Sequence, residues 1–220
     1  MKGLLIKDFS YLKQNKILYI FLIVFGIAYA LFFENPYFVF GYYSIFAGVL
    51  TLSTCNYDDY NHSLSFIFTL PITRNMYIKG KYYLSYLLSF ILATAAFILG
   101  TISQFYTMHN LSFFNTTWFG AYISVFFISV LFTTLLLPLQ IKLGGEKGQY
   151  AMFVVFGGLA MIAIIIYFLA ELLGFDIVYF IDQIFETNGY ILLGLFIIIV
   201  GIINAISMKI SFHILEKKEF

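Results

Sequence analysis

The sequence predicts an all-α integral membrane protein with six spanning helices, and three observations carry that prediction. The 220 residues are 62% hydrophobic and only 10% charged, outside the composition of water-soluble domains. The charges are clustered: no Asp, Glu, Lys or Arg occurs from 17 to 33, 35 to 57, 82 to 141, 149 to 170 or 187 to 208. Once six spans are drawn, all 12 Lys and Arg fall on one side of the membrane. A spanning helix needs about 20 apolar residues, so the long gap from Tyr82 to Ile141 holds two. The spans are then about 17–33, 37–55, 82–107, 117–140, 150–170 and 189–208 of a single domain, 1–220.

Residues 2–16 read as an amphipathic helix. Leu5, Phe9 and Leu12 form an apolar stripe, with Lys7, Ser10 and Gln14 opposite. Lys2, Lys13 and Lys16 flank the stripe, where long stems snorkel, so the segment is expected to lie on the inner leaflet. The apolar run that follows lies behind 16 polar-rich residues and ends in no small-residue cleavage site, which makes it a retained span.

After the second span, Tyr60, Leu64, Ile67 and Phe68 fall at i, i+4, i+7 and i+8. They predict a short amphipathic helix parallel to the membrane. Pro71 disfavours helical geometry at Leu70 and ends it. Thr73 is placed to cap the next helix, which rises through Met76 and Lys81 into the third span. There Ser85, Ser89, Ala93, Ala96 and Gly100 are small residues that let helices pack closely in lipid. Tyr42, Tyr43, Tyr82, Tyr83, Trp118 and Phe119 cluster at span ends and read as interface anchors. Between the fifth and sixth spans, Ile177, Phe180, Ile181, Ile184 and Phe185 make one apolar face, with Asp176, Asp182, Gln183 and Glu186 on the other. That pattern predicts an amphipathic outer segment, either lying in the headgroups or forming a re-entrant hairpin continuous with the fifth span.

The one-sided cations place both termini in the cytoplasm by the positive-inside rule. The outer side carries Glu34, Glu171, Asp176, Asp182 and Glu186 and no cation. Topology thereby accounts for the basic residues, and no nucleic-acid partner is implied.

Several chemistries lose support. Proton relays, voltage sensors and intramembrane proteases need ionisable groups within the bilayer, and the predicted spans hold none. Asp58, Asp59 and His62 form a DDxxH cluster, but at the inner end of a span they read as a solvated helix start rather than a metal site. "KLGGEKGQY" (142–150) lacks the spacing of a phosphate-binding loop. Lone Cys55 makes no internal disulfide. A pore would want a polar stripe, and the scattered Ser, Thr and Asn give none that is continuous. No cofactor or metal bound by this chain is expected, and energy for any work must come from elsewhere.

The motif "FTLPITRNMYIKGKYY" (68–83), with "MKGLLIKDF" (1–9) and "YDDY" (57–60), resembles the short bacterial branch of ABC-2-type transporter permeases. The resemblance implies a permease in the bacterial cytoplasmic membrane, paired with a second, identical or related permease. It also implies a dimer of cytosolic ATPase subunits that carries ATP and Mg. The helix after the second span would be the coupling helix, making Tyr60, Leu64, Ile67, Phe68, Pro71 and Arg74 the ATPase contact. Asp58, Asp59, Lys79 and Lys81 would be inner-surface charges, the cations anchoring the loop to lipid headgroups or to the partner. Relatives of this kind export amphipathic peptides or protect against them. The rival expectations are an ATP-independent channel or holin-like pore, and an exporter of lipid-linked or small hydrophobic compounds.

Overall fold

The computed structural model describes the backbone of residues 2–14, 16–32, 37–60, 63–108, 116–172, 174 and 177–218. The helices are α1 (Lys2–Gln14), α2 (Lys16–Phe32), α3 (Tyr37–Tyr60), α4 (Ser63–Thr69), α5 (Arg74–Met108), α6 (Thr116–Lys147), α7 (Gln149–Leu172) and α8 (Ile177–Lys217). There is no strand among the described residues. Five helices are long and apolar enough to cross a membrane, and a sixth crossing results if α1 and α2, bent by 67° at their junction, count as one. The all-α membrane architecture is as the composition demands.

Span boundaries move inward from the sequence expectation. The crossing expected at 82–107 begins at Arg74, the one expected to end at 140 runs to Gly145, and the last runs to Lys217. Charged residues therefore lie within helices that the apolar runs alone had left charge-free. Asp182 and Glu186 fall in the opening turns of α8, so the outer amphipathic segment continues into the last span as one 41-residue helix. Asp176 lies outside the described residues, and Glu171 is exposed near the end of α7.

In lipid there is no hydrophobic drive between helices, so close packing and hydrogen bonds must hold them. On α5, Ser85, Ser89, Ala93 and Ala96 are all buried. Gly100 faces Phe40 and Trp118, where a Cβ would come within 3.1 Å of the Phe40 ring. The small residues of α5 therefore serve packing within the chain. The first core joins Leu12, Leu22, Phe40, Tyr43, Leu84 and Leu88, among others. Tyr43 and Tyr82 are buried in the bundle rather than anchored at its rim, whereas Tyr83 and Phe119 are exposed.

A polar seam reinforces the joint between α5 and α8. Tyr82 shares its hydroxyl with Ser207 at 2.6 Å and Ser211 at 2.9 Å. Tyr86 donates to Asn204 Oδ1 at 2.6 Å, Ser207 donates to the Thr134 carbonyl, and Ser129 donates to Ser89 at 2.7 Å. Positions 82, 86 and 89 share one face of α5, as 204, 207 and 211 do on α8. Hydroxyls scattered in the sequence thus meet in three small groups between the helices. These groups bond to one another across the helix joints and so act as an adhesive between helices.

α6 contains Pro138 and breaks its helical geometry at Gly144, whose φ of 78° is a left-handed value that glycine adopts without steric cost. The break turns the chain towards α7. α7 packs mainly on α6 and is exposed along almost all of its length, which suits a helix bathed in acyl chains.

Candidate functional site

The site lies at the end of the bundle where α1 and the end of α8 meet α4 and the start of α5. Its second core is built from Leu4 of α1, Cys55 of α3, Leu64 and Ile67 of α4, Tyr77, Ile78 and Tyr82 of α5, Leu137 and Ile141 of α6, and Leu215 of α8. One apolar cluster therefore ties together six elements of the chain.

Local chemistry shapes the loop as expected. α4 stops at Thr69, and around Pro71 the Ile72 amide donates to the Leu70 carbonyl at 2.6 Å, a γ-turn. Thr73 Oγ1 then accepts from the Met76 amide at 3.2 Å, the N-cap of α5. α4 is under two turns long, and the structure decides which way it faces. Leu64 and Ile67 are buried, and Phe68 packs half-buried on Tyr77 with ring centroids 5.9 Å apart. Phe66 is 67% exposed, with Leu70 also outward, and Ser65, Thr69 and Pro71 are exposed too. The residues expected to meet a partner, Leu64 and Ile67, are turned into the chain's own core; Phe66, which the periodicity passed over, presents the aromatic face. The side chain of Tyr60 lies outside the described residues.

The charges depart furthest from expectation. Lys81 is not at the surface: it is 2% exposed and ion-paired to Asp58 at 2.8 Å and Asp8 at 3.0 Å. Its ammonium also reaches the carbonyl and hydroxyl of Thr54, each at 3.2 Å. Asp58 is fully buried, accepts from the Tyr77 hydroxyl at 3.0 Å and pairs with Lys7, which also lies 3.3 Å from Asp8. Two cations and two carboxylates thus form a neutral cluster on α1, α3 and α5, buried except at Lys7, which is partly exposed. Burying charge in this way is tolerable because each is paired, with added bonds from Tyr77 to Asp58 and from Lys81 to Thr54. The expectation of a solvated Asp58 and a headgroup-bound Lys81 is overturned. Asp59 pairs with Lys218 at 3.2 Å, His62 lies outside the described residues, and Lys79 remains exposed.

Asp8 and Lys7 were missed. Asp8 is buried with Leu4 and Leu12, at i, i+4 and i+8 on one face of α1, while Phe9 is 40% exposed. The inward face of α1 is one residue away from the apolar stripe that the sequence suggested. An acid between two leucines at four-residue spacing was the available signal.

Arg74 is committed to the protein as well. Its guanidinium donates to the carbonyl of Leu215 at 3.1 Å and to that of Glu216, satisfying acceptors that end α8. Lys218 adds a bond to the Ile141 carbonyl at 3.4 Å. The loop quoted by the sequence motif is therefore bolted to the last helix.

A family model described as ABC-2 family transporter protein matches residues 3–216. The chain belongs to that family. No curated protein and no solved structure matches it. As an ABC-2 family member the chain is a permease, the membrane part of an ABC transporter, and its helices, loop and charge cluster are the parts of that permease. In this ABC-2 permease the opening motif forms α1 and half of the cluster, and the "FTLPITRNMYIKGKYY" motif forms the γ-turn, the cap, Arg74 and Lys81.

Proposed function

We propose that this chain is the permease of an ATP-driven exporter in a bacterial cytoplasmic membrane and that α4 receives force from a cytosolic ATPase. The observation that carries the reading is the setting of α4. It is a short helix held on a common core with five other elements, yet Phe66, and Leu70 just past its end, are exposed. A displacement of α4 is therefore passed to α3, α5, α6 and α8 at once, and the outward aromatic is the type of residue that anchors interfaces. ATP and Mg belong to two ATPase subunits beneath a pair of permeases. The substrate is an amphipathic, cationic peptide, a choice supported by the acids Glu171, Asp176, Asp182 and Glu186 on the side opposite the cations.

The test is to purify the tagged permease from its native membrane and ask whether an ATP-binding subunit accompanies it. Inverted vesicles holding the complex are expected to accumulate a fluorescent cationic amphipathic peptide only with ATP. Movement of a lipid-linked glycan instead would reassign the substrate, and export without any ATPase would return the chain to the channel class.

Orientation is checked with single cysteines in a Cys55→Ser background. Lys217→Cys is expected to react only from the cytoplasm and Glu171→Cys only from outside. The reverse pattern would invert the proposed direction.

A further inference from the structure

The buried charge cluster has a part in the mechanism that loop docking does not account for. Its members come from three separate elements: Lys7 and Asp8 from α1, Asp58 from the end of α3, and Lys81 from the second turn of α5. Asp8 and Asp58 are nearly sealed from solvent, as is Lys81 between them. Beside the charges, α1 lies against α5 at Gly80: a Cβ there would sit in ordinary contact, 3.6 Å from Leu4 Cδ1 and 3.9 Å from Leu4 Cβ. Leu4 in turn belongs to the core that seats Leu64 and Ile67 of α4.

Separating α1 from α5 and α3 would break the Asp8–Lys81 and Lys7–Asp58 pairs together, leaving Lys7 with Asp8 and Lys81 with Asp58, each half-cluster losing a buried partner. Two of the four ion pairs are lost at once where Asp8, Asp58 and Lys81 are buried, which makes the contact costly to open. We propose that the Lys81 cluster is a fixed joint that makes α1 part of the force-receiving block, so that α1, α4 and the adjoining ends of α3 and α5 move as one body during transport. Asp8 and Lys81 are then positioning residues for coupling. The N-terminal helix is more than a tail resting on the headgroups, because it carries the push on α4 to the 67° bend where α2 begins. This inference rests on the reading of α4 as the ATPase contact.

The test uses the whole transporter, permease with its ATPase, and a cysteine pair in a Cys55→Ser background. Leu4→Cys with Gly80→Cys places two Cβ atoms at a separation suited to a disulfide. Oxidation with copper phenanthroline is expected to link them at the same rate in nucleotide-free and vanadate-trapped complexes. The linked transporter is expected to keep its ATP-driven activity, since the bond only fixes what is already fixed. A linking rate that changes between states, a failure to link, or loss of activity on linking would each overturn the joint. Asp8→Asn, which preserves shape and removes one charge, is expected to slow linking about tenfold, equivalent to about 1.4 kcal/mol of lost helix docking. An unchanged rate in that variant would assign the contact to Leu4 alone and remove the cluster from the mechanism. Failure of the α4 reading looks different: the ATPase would bind Phe66→Asp as it binds the unaltered permease, while the linking results stood unchanged.

Discussion

Lys81→Met is expected to be among the most damaging single substitutions in this permease. It removes the cation held between Asp8 and Asp58 and leaves two buried carboxylates with only Lys7, itself partly exposed, to share. Breaking a buried pair from one side typically costs about 3–5 kcal/mol, a large part of the roughly 5–15 kcal/mol by which folded proteins are stable. The methionine also gives up both bonds to Thr54. Membrane levels and the melting temperature in detergent should both fall sharply. Lys81→Met combined with Asp58→Asn should recover most of the loss, because removing both partners leaves Lys7 and Asp8 as a neutral remainder. A single variant that melts like the unaltered protein would show that the cluster does not hold the fold.

The second large effect separates the two faces of α4. Phe66→Asp changes an exposed side chain, and surface changes usually stay within about 0.5 kcal/mol of stability. Binding of the ATPase should nevertheless weaken by about 2 kcal/mol or more, the loss of an aromatic anchor, or roughly thirtyfold in Kd. Leu64→Asp should do the opposite and spoil the protein before it spoils the contact, since it drives a carboxylate into the second core without a partner. Titrating the ATPase onto nanodisc-embedded permease, with melting curves alongside, resolves the two. A folded, monodisperse Leu64→Asp with unaltered affinity would contradict the packing of α4. A Phe66→Asp that binds normally would place docking elsewhere.

How far the sequence spoke depended on the range of each interaction. The apolar runs, the stop at Pro71 and the cap at Thr73 are decided by neighbours within a few residues, and they could be read directly. The burial of Ser85, Ser89 and Ala93 followed from residue size. Lys81 could not be read, because its partners lie 73 and 23 positions away and topology already accounted for a cation there. Asp8 was hidden by an apolar stripe that included Phe9, a residue that in fact faces outward. In α4 the ambiguity was one of length: seven residues complete too few turns for periodicity to choose between Leu64 and Phe66. The hydroxyls of Tyr82, Ser207 and Ser211 acquired meaning only when two distant helices came together.

α8 has 41 residues and no proline, which gives it an axial length of about 60 Å, twice the hydrocarbon thickness of about 30 Å. Its far end must therefore stand clear of the acyl region or slope steeply through it, carrying Asp182 and Glu186 with it. Its near end is gripped through Leu215 and Glu216 by Arg74, the first residue after the γ-turn and its cap. The helix is in effect a lever. Pivoting about the gripped end, a tilt of about 5° over that length sweeps the opposite tip by about 5 Å, roughly the width of one peptide strand. A small rotation at the gripped end is thus amplified into a displacement of that size at the other.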